Sequence, residues 1–74
     1  MIATNNKTVT YRCGEYFVDI VTTKEGYEAW IYRKDYGKKD FMFSCPKEQQ
    51  SYFEFFEIVK ANIPDYAVLY DRGL

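Results

Sequence analysis

Histidine is absent from this chain of 74 residues. That removes the commonest general base and the commonest metal ligand. Cysteine is nearly absent: Cys13 and Cys45 are the only two, and neither belongs to a CxxC pair. A zinc site would therefore need carboxylate ligands or a second chain. The four glycines, Gly14, Gly26, Gly37 and Gly73, are too scattered for a phosphate-binding loop. No serine or cysteine stands in a nucleophile motif. No stretch approaches the ~20 apolar residues of a membrane span. The opening "MIATNNKTV" holds no apolar run of signal-peptide length. The net charge is −1, which leaves no bulk electrostatic case for nucleic acid or an anionic membrane. These absences predict a soluble cytoplasmic protein that is not an enzyme and carries no cofactor and no metal. In a reducing cytosol both cysteines stay free thiols.

Aromatic residues are abundant instead. Eight Tyr, six Phe and one Trp make up 20% of the chain. Each can bury roughly 150–250 Å². A single domain of this length hides only about 60% of its unfolded surface, so a partner or other support is expected. Charged residues reach 28%, unevenly spread: residues 1–23 balance to zero, 24–47 sum to +2 and 48–74 sum to −3.

The chain reads as an α+β domain: a four-stranded antiparallel meander followed by one C-terminal helix, in two layers. Residues 1–6 read as a flexible polar tail. Residues 7–12 alternate Val9 and Tyr11 with Thr8, Thr10 and Arg12, a strand pattern. Cys13-Gly14 predicts a tight turn and residues 15–23 a second strand. "KEG" at 24–26 predicts a three-residue loop with Gly26 left-handed in a G1 bulge. Residues 27–34 read as the third strand, "DYG" at 35–37 as the same loop chemistry, and 38–45 as the fourth strand, ended by Pro46. Ser51 and Glu54 form a capping box that starts a helix at Tyr52. Tyr52, Phe55, Phe56, Val59, Ile63, Tyr66 and Tyr70 share one stripe at helical spacing. Pro64 interrupts that stripe and predicts a kink or a break, and Gly73 ends it.

These loops imply that Val9 faces Val18, Tyr11 faces Tyr16, Ile20 faces Trp30, and Trp30 faces Met42. One sheet face then carries Val9, Tyr11, Tyr16, Val18, Ile20, Trp30, Tyr32 and Met42, and the helix is expected there. The other face carries Phe17, Val21, Ala29, Ile31, Phe41 and Phe43, with Asp19 near its middle opposite Ile31. Because one helix covers one face, Phe17, Val21, Ile31, Phe41 and Phe43 form the expected contact surface. It would serve a homodimer or another protein.

The alternative reading uses the hairpin tip. Arg33, Lys34, Lys38 and Lys39 surround Tyr36, a basic finger able to touch phosphates and stack a base. In a four-strand meander the outer strands lie roughly 14 Å apart. A disulfide needs Cα atoms within about 7 Å, so Cys13 and Cys45 are not expected to bridge. Glu54 and Glu57 share a helix face with no partner chemistry for catalysis. So small a chain is also expected to leave little room for a ligand pocket beside its core.

Overall fold

A computed structural model describes residues 6–34 and 37–72. Strands β1 (Lys7–Cys13), β2 (Tyr16–Thr22), β3 (Gly26–Arg33) and β4 (Asp40–Pro46) pair antiparallel in chain order, and helix α1 (Tyr52–Asp71) follows. The α+β meander expected from the sequence is the observed fold. Residues 1–5 of the expected tail, the tip residues Asp35 and Tyr36, and Gly73 lie outside the described residues.

The registers differ from expectation, and the turns explain why. The first turn is Gly14-Glu15, between Cys13 and Tyr16. Gly14 takes φ 64°, as the first residue of a type II′ turn requires. Val9 therefore lies opposite Ile20 and Tyr11 opposite Val18. That is an even slip, so the faces of β1 and β2 stand as expected. The second loop is not a G1 bulge. Gly26 has no positive φ and opens β3 opposite Pro46. Thr23 closes the loop instead: its hydroxyl accepts from the Glu25 and Gly26 amides at 3.2 and 3.0 Å. Ile20 then meets Ala29 rather than Trp30, an odd slip that exchanges the two faces of β3. Between β3 and β4 the register shifts at Ala29/Trp30, so Ala29 pairs with Phe43 and Trp30 with Phe41. Met42 is the extra residue of this bulge, and it is buried.

The consequence is a correction to the sheet faces. Ala29, Ile31, Met42 and Phe43 lie on the helix side, whereas Trp30 and Tyr32 lie on the other. Val18, Ile20, Ala29, Ile31 and Met42 pack against Phe55, Val59, Ile63, Ala67 and Tyr70 of α1. Phe43 packs between Phe55 and Tyr66 with tilted rings, centroids at 5.3 and 6.0 Å.

The capping box forms as expected. Ser51 Oγ accepts from the Glu54 amide at 3.2 Å, and Glu54 Oε1 accepts from the Ser51 amide at 2.9 Å. The helix runs through Pro64 without a break. Pro64 is exposed, while Ile63 and Ala67 on either side of it are buried. Packing thus holds both halves while the missing amide falls on the solvent side. At the C-terminal end Asp71 meets the negative pole of the helix dipole, an unfavourable position. Two sheet groups offset it: Arg33 Nη1 at 3.4 Å and the Tyr16 hydroxyl, which donates to Asp71. Tyr70 adds a second tie, accepting from the Arg33 amide at 3.3 Å and donating to the Lys38 carbonyl at 3.1 Å.

A Cβ on Gly26 would meet the Cys45 carbonyl oxygen at 2.1 Å, a backbone atom held in the sheet. A Cβ on Gly37 meets nothing within 4 Å. Gly26→Ala is expected to cost about 3 kcal/mol in urea unfolding, and Gly37→Ala well under about 1 kcal/mol.

Candidate functional site

The face of the sheet opposite α1 carries Phe17 and Val21 from β2, Trp30 and Tyr32 from β3, and Phe41 from β4. Phe17 and Tyr32, directly opposite each other, stack with centroids 5.6 Å apart and planes at 21°. Trp30 and Phe41, also opposite each other, meet edge-on at 5.1 Å and 69°. Phe41 is 49% exposed. Of the residues expected on this surface, Phe17, Val21 and Phe41 are here. Ile31 and Phe43 are not, because the odd slip at the second loop turns β3, and Phe43 paired with it, under the helix, while the bulge returns Phe41 to the open side. Trp30 and Tyr32 replace them. Alternation alone puts these two on the helix side, because the sequence suggests a three-residue turn where four residues separate the paired Thr22 and Tyr27.

Between the two aromatic pairs lies Asp19, 3% exposed and opposite Trp30 rather than Ile31. A buried carboxylate without partners is costly, but this one has three. Oδ1 accepts from Thr10 Oγ1 at 2.7 Å and from the Tyr32 hydroxyl at 3.1 Å, and Oδ2 from Lys39 Nζ at 2.7 Å. Burial pushes the Asp19 carboxyl up, yet the bonds from Lys39, Thr10 and Tyr32 together outweigh it and hold it below the usual range. The same bond to Asp19 raises the Lys39 ammonium, against a smaller opposing effect of burial. Lys39 Nζ also sits 4.9 Å above the Tyr32 ring, in cation–π range. Asp19 thus anchors Thr10 of β1, Tyr32 of β3 and Lys39 just before β4, charged at neutral pH and holding no proton for acid–base chemistry.

The basic finger is not an open cation cluster. Arg33 binds Glu15 at 2.6 Å and Asp71 at 3.4 Å, Lys38 lies 3.6 Å from Asp40, and Lys39 is on Asp19. Lys34 is exposed. Tyr36, the stacking residue of that reading, lies outside the described residues.

Cys13 and Cys45 are free thiols on the two opposite edge strands. Burial raises the Cys45 thiol, which donates to Gln50 Oε1 at 3.3 Å. Glu54 is occupied by the cap, and Glu57 pairs with Lys60 at 3.1 Å. Among the described residues no cluster of acids and cysteines has metal-site spacing, and no helix is long and apolar enough to cross a membrane. A groove of about 690 Å³ lies between the 23–26 loop and residues 44–48, open to solvent and lined by Glu25, Glu28, Lys47 and Glu48 among others. No protein family, curated protein or solved structure matches this chain.

Asp19 ties its stability contribution to pH. Its carboxyl is depressed in the folded state, so the contribution is complete above the unfolded value of about 3.9 and is lost as pH falls through the folded value. Lys39 is raised, so its contribution is complete below about 10.4 and is lost as pH rises through its folded value. Asp19→Asn is expected to cost roughly 2 kcal/mol near neutral pH. In unfolding titrations its difference from wild type should stay flat between those limits and shrink below about pH 4.

Proposed function

We propose that this chain is a non-enzymatic interaction module that docks another protein on the open face of its sheet. The observation that carries the reading is the two aromatic pairs, stacked Phe17–Tyr32 and edge-on Trp30–Phe41, on a face without a covering layer among the described residues. Aromatic residues that are rigid and partly exposed supply binding energy at low entropic cost. The buried carboxylate of this face, Asp19, is already paired with Thr10, Tyr32 and Lys39, so docking does not orphan it.

A foreign partner suits the face better than a second copy laid on it. Lys39 stands half exposed over its middle, and a two-fold axis through that middle would bring two Lys39 ammonium groups together. A complementary partner offers an apolar side chain to the aromatic floor and a carboxylate to the remaining donors of Lys39. The free thiols Cys13 and Cys45 support a reducing, cytoplasmic setting.

The test compares immobilised wild type, Phe41→Lys and Val68→Lys, the last on the exposed outer face of α1. A protein retained from native lysate by wild type and Val68→Lys, and lost with Phe41→Lys, is then purified. Its Kd should rise about thirtyfold with Phe41→Lys, the scale of losing one aromatic hot spot. Equal retention by all three baits, or an unchanged Kd, overturns the reading.

A further inference from the structure

The two edges of the sheet are unlike. β4 ends its sheet with the Ala29/Trp30 bulge and with Pro46, two devices that spoil pairing with a further strand. β1 has neither. Its seven residues pair with β2 in one unbroken register, and its outer edge has no partner among the described residues. Its sequence, KTVTYRC, is rich in β-branched residues. Apart from Tyr11, which is half-buried, every residue of β1 is exposed.

The type II′ turn determines which backbone groups point outward. In a hairpin with a two-residue turn the flanking pair, Cys13 and Tyr16, is hydrogen-bonded. Alternation then directs Lys7, Val9, Tyr11 and Cys13 toward β2. Thr8, Thr10 and Arg12 present their N–H and C=O groups outward.

We propose that β1 pairs antiparallel with β1 of a second copy, about a two-fold axis at Thr10, joining two sheets into one of eight strands. The register is self-complementary. Thr10 faces its own counterpart, and Thr8 faces Arg12, so each outward residue donates one bond and accepts one across the seam. On the helix side Val9 faces Tyr11. Val9 is 42% exposed in the single chain, and Tyr11 is backed by Phe56, centroids 4.5 Å apart. Lys7 faces Cys13, so no like charges are opposed. Centring the axis on Arg12 would oppose two guanidinium groups, and centring it on Val9 would face Tyr11 with Lys7.

The helix side of β1 has room for this neighbour. α1 packs along β3 and β4, and a crevice of about 120 Å³ lined by Tyr11, Cys13, Phe56, Val59 and Ile63 stays open beside β1. Phe53, one helical turn before Phe56, is 67% exposed. The two-fold axis stands normal to the sheet, so both helices lie on one side and both open aromatic faces on the other. The dimer presents that face twice, side by side. This assembly is independent of whether the open face docks a partner.

Sedimentation velocity of the full chain over about a hundredfold range of concentration tests the proposal. Wild type and Phe41→Lys are expected to dimerise alike. Thr8→Pro removes an outward amide without touching the β2 ladder or the Asp19 bonds, and should give a monomer with unchanged far-UV circular dichroism. In a Cys13→Ser, Cys45→Ser background, Thr10→Cys should form a disulfide-linked dimer under mild oxidation, because paired Cα atoms here lie about 5.5 Å apart. Thr8→Cys, facing Arg12, should not. A monomeric wild type, a dimeric Thr8→Pro, equal cross-linking by both cysteine variants, or dimer loss in Phe41→Lys would each overturn the proposal.

Discussion

A single helix cannot cover a four-stranded sheet. The outer strand axes lie about 14 Å apart, and a helix with its side chains is about 10–12 Å across. It therefore shields one face, and not the full width of that. α1 settles over β3 and β4, where Phe55 and Tyr66 meet Tyr27 and Phe43. Both uncovered regions follow from this placement: the opposite face with its two aromatic pairs, and the underside of β1 with Val9 half out in solvent. Fifteen aromatic residues are more than one helix–sheet interface of this size can hide.

Asp19 explains why the surplus aromatics face outward in a definite arrangement. A carboxylate in the central part of β2 tolerates only the side of the sheet where Thr10, Tyr32 and Lys39 supply donors. Sliding β2 by one residue would drive it beneath α1 among Phe55, Val59 and Ile63, which offer none. The charge is thus a register pin, working by what it forbids in the alternative pairing. Lys39, reaching in from just before β4, extends the same pin to the far edge of the sheet.

The element order, the capping box and the helical stripe were legible in the sequence because each rests on local chemistry: Ser51 with Glu54, and apolar residues three and four apart. The faces of β3 were not. Their assignment hung on the loop at 23–26, where a glycine invited a left-handed reading. Gly26 is needed for a different reason, the close approach of the Cys45 carbonyl, which only the paired strand reveals. Met42 in its bulge is a similar case, since nothing in "DFMFSC" distinguishes a bulge from plain alternation. Of the expected contact surface, Phe17, Val21 and Phe41 came through because they sit on β2 or beyond the bulge. Ile31 and Phe43 did not. The ion pair of Asp19 with Lys39 spans twenty residues of chain, beyond any local pattern.

The off-centre helix also divides the molecule by local stability. β2, β3, β4 and α1 share one core, whereas β1 is held by its ladder to β2, the Thr10–Asp19 bond and the contacts of Tyr11 with Phe56 and Tyr52. Regions with few buried contacts open at lower free energy than the global transition. β1 is therefore the strand that can peel away while the rest stays folded, its amides exchanging with solvent before those of β3. Peeling would bare the next edge, β2, whose Val18 and Ile20 are wholly buried. The outermost strand is in this sense a removable cover on the core.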